Sequence, residues 1–228
     1  HEGAVRIKPV RATGGRGQLR VDDSDALDQA LFALDEKELG QYGVVLEAHL
    51  ERVTTFSVGQ VRVGGRLASY YGTQRLTRDN AGNEVYGGSD LVVVDGDFEA
   101  LLALDLPETT RLAVSQAQVY DEAASSCYRH FFASRRNYDI AQGIDGRGQP
   151  RSGVLEQSWR IGGASSAEIA ALEAFRRGSA VRAVKASSIE LYGEQQQVPA
   201  GAQVLYRDED AEVGFITKCV MVEDYGDA

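Results

Sequence analysis

The side chains best suited to nucleophilic catalysis or metal binding are few in this chain. The sequence has two cysteines, Cys127 and Cys219, and histidines at positions 1, 49 and 130. Cys127 and His130 are three residues apart, which on a helix would bring a thiol and an imidazole onto one face. A buried thiol beside a surface histidine is the simpler interpretation, and two cysteines in so long a chain are typically free. The sequence therefore predicts no catalytic residue and no metal site.

The glycines do not form a nucleotide-binding motif. Gly59 and Gly64 have the spacing of a P-loop, but Gly65 and Arg66 follow where Lys and Ser or Thr must meet phosphate and magnesium. The glycines between positions 14 and 17 fail the dinucleotide fingerprint, since we expect no strand before them and no helix directly after. We therefore expect no cofactor, and a protein without enzymatic activity is favoured over an enzyme.

Charge is the strongest signal in the sequence. Residues 1–20 contain five basic residues and one acid, a net charge of +4, whereas the remainder has 19 basic and 33 acidic residues, a net charge of −14. A basic, glycine-rich arm on an acidic body is typical of an arm that touches nucleic acid or a neighbouring subunit. Its VRIKPV stretch alternates as a strand does and is too apolar for simple phosphate neutralisation. We therefore expect it to pair with a sheet, such as a neighbour's, and any nucleic-acid contact to be weak.

The acidic body excludes other partners. A sequence pI near 4.9 argues against a nucleic-acid or membrane surface on the body, because both partners are anionic. No apolar run approaches the roughly 18 residues that cross a bilayer. We therefore predict no membrane contact and a virion or cytoplasmic location.

A short recurrence links two glycine-rich segments. GRGQLR at residues 15–20 returns as GRGQPR at residues 146–151, and each presents two arginines suited to a phosphate or carboxylate. Coincidence in a chain rich in Arg and Gly is the simpler explanation. The second copy lies in residues 140–153, which we interpret as a long polar loop.

Helical patterns occur in four segments. They are residues 22–40, residues 97–107 with Asp97 as N-cap, the second half of residues 112–136, and residues 165–178. In the first, Asp22 or Ser24 serves as N-cap, a stripe includes Leu27, Ala30 and Leu31, and Gly40 is the stop. The first half of 112–136 also fits a strand, and a basic end to a helix explains Arg135 and Arg136. In the fourth, Ser165 and Glu168 form a capping box.

The remaining segments indicate strands. Residues 54–94 are β-rich, and Asp, Asn and Gly near residues 80–83 predict the tip of a long hairpin that projects beyond the body. Residues 179–228 are β-rich again and allow a small C-terminal β module. The predicted class is α+β, mainly antiparallel β with about four helices. An extended N-terminal arm at residues 1–20 precedes a single body at residues 21–228.

These parts favour a structural subunit of a self-assembling particle, such as a capsid, tail or other virion component, that forms a homo-oligomer. Arm, hairpin and loop would contact neighbours. The expected contact residues are Arg6, Lys8, Arg11, Arg16, Arg20, Arg78, Asn80, Asn83, Arg147 and Arg151. One alternative is an enzyme or ligand-binding domain with a site assembled from distant residues, which a pocket of convergent polar groups would favour. Another is a nucleic-acid binder using the arm and residues 128–138.

Overall fold

The computed structural model describes residues 3–10, 17–178 and 180–226. Its sheets are mainly antiparallel and five helices accompany them in those ranges, which confirms the α+β class and the long hairpin. The chain forms two compact units. The first contains residues 1–54 and 141–152, and the second contains residues 55–140 and 153–228.

The first unit has a three-stranded antiparallel sheet in the order β2-β1-β3. Its elements are β1 (Val5–Pro9), β2 (Leu19–Val21), α1 (Ser24–Ala33), α2 (Glu36–Tyr42) and β3 (Val44–Ala48). The segment predicted as an arm therefore supplies the central strand and an edge strand of a sheet in its own chain. Contrary to our expectation, a strand precedes the glycines at 14–17. The next element after them is the strand β2 and not a helix, as expected.

The core of this unit is small. Ile7 of β1, Val21 of β2 and Ala30 of α1 are buried together. The predicted stripe on the first helix is only partly correct. Leu27 and Leu31, expected beside Ala30, are 40% and 50% exposed.

The single helix predicted over residues 22–40 is wrong, because a second cap interrupts it. The N-cap of α1 is Asp23 and not the predicted Asp22 or Ser24, because the Asp23 carboxylate accepts a 2.8 Å hydrogen bond from the backbone N–H of Ala26. Asp35 accepts from two further backbone N–H groups and starts α2. The helix then continues through Gly40 and ends at Gly43, whose φ of 72° suits glycine.

An eight-stranded sheet, most of whose residues belong to the second unit, has the strand order β10-β11-β9-β6-β5-β4-β7-β8. Its strands are β4 (Glu51–Val63), β5 (Arg66–Arg78), β6 (Glu84–Asp95), β7 (Arg135–Ile144), β8 (Pro150–Ser158), β9 (Ala183–Tyr192), β10 (Gln203–Asp210) and β11 (Gly214–Asp224). The helices are α3 (Phe98–Leu102), α4 (Glu108–Cys127) and α5 (Ser165–Arg177). The C-terminal strands β9, β10 and β11 thus join the same sheet.

Helices cover both faces of this sheet, so the strands bury side chains on both. Tyr70 and Val93 pack with Phe175 of α5 on one face. Val58 and Tyr138 pack with α3 and α4 on the other. These five side chains are fully or almost fully buried. Alternation along each strand therefore assigns every residue to the α5 face or to the α3/α4 face.

The β5–β6 hairpin lies inside the sheet instead of projecting from it. β5 pairs with β4 and β6 pairs with β9, so both strands have neighbours on either side. The tip contacts the β10–β11 turn, where Asn80 donates hydrogen bonds to the carbonyl oxygens of Val213 and Phe215 at 2.6 and 3.1 Å. The tip position is as expected, but its partner is the same chain.

The segment from 108 to 136 resolves into one long helix and a strand. α4 spans Glu108–Cys127, so the strand expected in its first half is wrong; Ala113, Val114 and Ala117 are buried at helical spacing. The helix ends before His130, so no helical face pairs that residue with the cysteine. Both cysteines are free, as expected, but Cys127 is exposed, so the buried thiol expected at that position is wrong. In the described ranges no helix is long and apolar enough to cross a membrane.

The polar loop expected at residues 140–153 is instead the end of β7, a turn and the start of β8. Asp145 organises the turn. It accepts hydrogen bonds from the backbone N–H groups of Arg147 and Gln149 and from the side chain of Arg151. These bonds hold the pKa of Asp145 below its usual value. The Asp145 carboxylate therefore stabilises a defined turn, where the glycines of the sequence had suggested a flexible loop.

Candidate functional site

A buried ion pair lies on the α5 face of the second unit. Arg135 of β7 donates from Nε to both carboxylate oxygens of Glu168 on α5, at 2.9 and 3.0 Å. The side chains are 8% and 1% exposed. Charges this deeply buried persist only when they are paired and hydrogen-bonded. The pair therefore fixes α5 against β7.

Glu168 does not form the capping box that the sequence predicts. The residue preceding α5 is Ala164, and no side chain caps the helix there. Ser165 instead accepts a 3.0 Å hydrogen bond from the backbone N–H of Gly162. The Glu168 carboxylate is thus free to reach Arg135, and the predicted capping box is wrong because a tertiary ion pair takes its acid.

Hydrogen bonds lead from this ion pair to a second carboxylate. Arg135 Nη2 lies 3.4 Å from the Tyr70 hydroxyl, which donates to Asn137 Oδ1 at 2.9 Å. Asn137 Nδ2 donates to Asp139 Oδ1 at 3.0 Å, and Ser57 Oγ donates to the same oxygen at 2.9 Å. We name these five residues and Glu168 the Asp139 network.

Strand periodicity explains how the Asp139 network assembles. Residues 135, 137 and 139 alternate along β7 and share the α5 face, whereas Tyr138 and Ile140 enter the opposite core. β4 neighbours β7 and supplies Ser57, and β5 supplies Tyr70. The network thus depends on strand pairing between distant segments.

Asp139 is the open end of the network. Both of its hydrogen bonds reach Oδ1, and Oδ2 has no partner among the described residues. Asp139 is half-buried, and within residues 3–10, 17–178 and 180–226 only Thr217 Oγ1 is a fully buried side-chain atom without a partner. Oδ2 therefore reaches solvent while Oδ1 holds the carboxylate in one orientation. Such an oxygen can accept a hydrogen bond or a proton from a bound molecule.

Electrostatics keep the donors of the network in fixed protonation states. Burial, followed by the negative charge of Glu168, raises the pKa of Tyr70 well above its usual value. Burial alone would lower the pKa of Arg135, but the negative charge of Glu168 and its hydrogen bond to the guanidinium reverse that effect and raise it. Tyr70 therefore remains a neutral donor and Arg135 a cation, so the hydrogen bonds keep their direction towards Asp139.

The loop between β8 and α5 closes over the ion pair. Arg135 Nη1 donates to the backbone carbonyl of Arg160 at 2.9 Å. A Cβ at Gly163 would lie 2.5 Å from the ring of Tyr86, so only glycine allows this approach. The carbonyl of Arg160 therefore gives the buried guanidinium of Arg135 a backbone acceptor in addition to Glu168.

Arg136 directs a separate set of contacts to the opposite face. Its Nη2 donates to Gln60 Oε1 at 2.6 Å, and its Nε lies 3.1 Å from Asp121 Oδ1. Asp121 also accepts a 2.7 Å hydrogen bond from the Tyr138 hydroxyl. Two consecutive arginines thus serve two faces, and neither ends a helix as the sequence suggested.

A family model described as "Protein of unknown function (DUF3182)" matches residues 1–220. The chain belongs to this family. The match covers the first unit, the second unit as far as residue 220 and every member of the Asp139 network. No curated protein and no solved structure shows significant similarity to the chain.

None of the described contact residues predicted for this DUF3182 protein belongs to the Asp139 network. Those of the first unit bind acceptors within that unit: Arg6 to Gln18 at 2.9 Å, Lys8 to Glu47 at 2.6 Å and Arg20 to Asp22 at 2.7 Å. In the hairpin tip, Arg78 donates to the carbonyl of Gly82 and Asn83 donates to Asp79. Arg11 and Arg16 lie outside the described residues. Arg147 and Arg151 lie in the turn that Asp145 organises.

A local signal for the network was present in the sequence. The segment RRNYDI alternates Arg135, Asn137 and Asp139 with a second set of residues, as strands do. A helix assignment through residue 136, with Arg135 and Arg136 as its basic end, concealed this alternation. No local pattern identifies Ser57 or Tyr70, because their partners are 82 and 67 residues away.

Proposed function

We propose that this chain is an enzyme or ligand-binding domain whose site is assembled from residues distant in sequence and centred on Asp139. One observation carries the proposal: one carboxylate oxygen is fixed by Ser57 and Asn137 while the other faces solvent. Oriented polar groups backed by a buried charged network are typical of binding and catalytic sites.

The chemistry of the proposed site follows from its open carboxylate oxygen. Asp139 Oδ2 would accept a hydrogen bond from a hydroxyl or amino group of the bound molecule, or take its proton as a general base. The Arg135–Glu168 pair does not reach solvent and acts by positioning, because its charges hold β7 and α5 together. The ion pair thereby keeps the donors that orient Asp139 in fixed positions.

The first test replaces Asp139 with Asn, which preserves shape and removes the acceptor charge. A thermal-shift panel of hydroxyl and amine compounds, comprising glycerol, glucose, ethanolamine and spermidine, measures binding to the full chain. We expect at least one compound to raise the Tm of the wild type and to lose that effect in Asp139→Asn. Once a turnover assay exists, loss of a general base is expected to slow the reaction by about 100-fold or more.

Asp28→Asn is the matched control, because Asp28 is an exposed carboxylate on α1. The control is expected to keep the response of the wild type. If every compound shifts the Tm of Asp139→Asn by as much as it shifts the Tm of the wild type, the proposal is contradicted.

A second candidate, a homo-oligomeric subunit of a capsid, tail or other virion component, is favoured by a sheet edge. β10 is the last strand of the eight-stranded sheet, and its successive residues Val204, Leu205 and Tyr206 are all exposed. Edge strands with exposed apolar side chains pair readily with other chains. We propose β10 as the contact of such an assembly.

Native mass spectrometry of the full chain at low and high salt tests this second candidate. An assembly is expected to be larger at low salt, because the contrast between residues 1–20 and the acidic remainder favours charged contacts. Leu205→Lys is expected to reduce the mass, because it adds a charge to the edge. A monomer at every salt concentration contradicts the assembly, and a salt-dependent gel shift with DNA or RNA would instead favour the nucleic-acid alternative.

A further inference from the structure

A cleft of about 280 Å³ lies on the α3/α4 face of the eight-stranded sheet. It is lined by residues of β4, β5, β6, β9 and β11. The Asp139 network is on the opposite face, so the two features are separate. Ligand pockets have volumes of roughly 300–1,000 Å³, so this cleft suits a small molecule.

Strand register brings four ionisable or polar side chains together in the cleft. Asp90 of β6 lies directly opposite Ser187 of β9. Lys185, two residues earlier on β9, lies directly opposite Glu223 of β11. Since residues two apart share a face, all four side chains reach the same side of the sheet.

One charge pair of the cleft is already satisfied. Arg75 donates two hydrogen bonds to the carboxylate of Asp90, both at 2.5 Å, and Ser187 donates a third at 2.6 Å. Burial raises the pKa of Asp90, but the bonds from Arg75 and Ser187 outweigh burial and lower it. Asp90 therefore stays ionised and neutralises Arg75, and neither charge needs a ligand.

Lys185 and Glu223 differ from that pair. Both side chains are exposed in the cleft, and neither has a hydrogen bond or ion pair with any of the described residues. They face each other across neighbouring strands, yet their ammonium and carboxylate groups do not form an ion pair within 4.0 Å. The cleft thus presents a cation and an anion side by side, each open to a partner.

An apolar wall completes the cleft. It is formed by Phe56, Tyr71, Val92 and Met221. Burial and the neighbouring hydroxyl of Tyr225 raise the pKa of Tyr71 to about 12. Tyr71 therefore stays uncharged at neutral pH, and the wall can pack against an apolar group.

We propose that this cleft binds an α-amino acid with an apolar side chain. The carboxylate of the ligand binds Lys185, its ammonium group binds Glu223, and its side chain packs against the apolar wall. A simple anion would bind beside Glu223 and a simple cation beside Lys185, so each would meet repulsion as well as attraction. A zwitterion satisfies both residues, and the four charges of the cleft, Arg75 and Asp90 included, then remain balanced.

Calorimetric titration of the full chain with L-phenylalanine and L-leucine tests the proposal. The matched probes are 3-phenylpropionate, which lacks the amine, and 2-phenylethylamine, which lacks the carboxylate. Because hydrogen bonds to charged groups contribute strongly, each probe is expected to bind about tenfold or more weakly than L-phenylalanine. No saturable heat with either amino acid up to about 10 mM, or equal affinity for 3-phenylpropionate, would overturn the proposal.

Two variants assign the contacts. Lys185→Met is expected to weaken the binding of L-phenylalanine by about tenfold and to make 2-phenylethylamine the tighter ligand. Glu223→Gln is expected to weaken the binding of L-phenylalanine by a similar factor and to make 3-phenylpropionate the tighter ligand. Lys37→Met and Glu209→Gln change exposed residues elsewhere and are expected to leave affinity unchanged. Binding that persists in Asp139→Asn separates this site from the function proposed above. Unchanged preferences in both cleft variants would refute the assignment.

Discussion

Replacing Glu168 with Gln is expected to lower the free energy of unfolding of the second unit by about 3–5 kcal/mol. Glutamine has nearly the same shape, so the packing of α5 is preserved. The substitution removes the negative charge, however, and leaves the Arg135 guanidinium buried without a counter-ion. The penalty therefore comes from an unpaired buried charge rather than from a cavity.

Urea denaturation followed by circular dichroism measures this effect. Glu173→Gln is the matched control, because Glu173 is on the same helix and pairs with Arg176 and Arg177 at the surface. Exposed pairs contribute little, so the control is expected to change stability by less than about 1 kcal/mol. The double variant Glu168→Gln/Arg135→Met is expected to recover part of the loss, since it leaves no buried charge. Equal midpoints for Glu168→Gln and Glu173→Gln would contradict this account.

Local sequence patterns were sufficient for the parts of the fold that short-range chemistry determines. The tip residues near Asn80 and the cap at Asp97 are local signals, and both lie where they were expected. The α+β class follows from the same patterns. Competition between local signals was harder to judge. The helix predicted over residues 22–40 is interrupted at Asp35, which caps a second helix. That second helix continues through Gly40, although glycine is a common residue at helix ends.

The candidate site was harder to predict than the fold, because only the tertiary structure brings its residues together. Glu168 has the spacing of a capping box, and only the position of β7 shows that its carboxylate binds Arg135 instead. Likewise, Asp139 is one of 34 acidic residues, and nothing local distinguishes it. Its role emerges from Ser57 and Asn137, which converge through strand pairing and alternation.

The two sides of the sheet use charge differently. On the α5 face, Arg135 and Glu168 are almost fully buried, so the attraction between their charges is strong because water is excluded. In the cleft, Arg75 and Asp90 are about 40% exposed, with side-chain values of 42% and 41%. Solvent screens this second pair, so its contribution to stability is small. Its hydrogen bonds join Arg75 of β5 to Asp90 of β6, and both residues line the cleft.

The backbones of β5 and β6 approach each other closely at Gly72, which lines the cleft. Gly72→Ala is therefore expected to destabilise the second unit by about 3 kcal/mol. A Cβ at this position would lie 2.0 Å from the backbone oxygen of Asp90 and 2.7 Å from a methyl carbon of Leu91. Gly72 has no left-handed φ, so the cost is steric. β5 and β6 must separate, which also shifts Asp90 relative to Arg75.

Thermal unfolding of Gly72→Ala beside Gly153→Ala isolates that steric cost. Gly153 also lies in a strand without a left-handed φ, but an added Cβ meets nothing within 4 Å. Alanine there is expected to be neutral within about 0.5 kcal/mol, because surface substitutions away from special features rarely cost more. Since Gly72 lines the cleft, Gly72→Ala is also expected to weaken L-phenylalanine binding, whereas Gly153→Ala is not. If both variants unfold at the same temperature, the sheet accommodates a Cβ at Gly72, and close contact between β5 and β6 does not limit stability there.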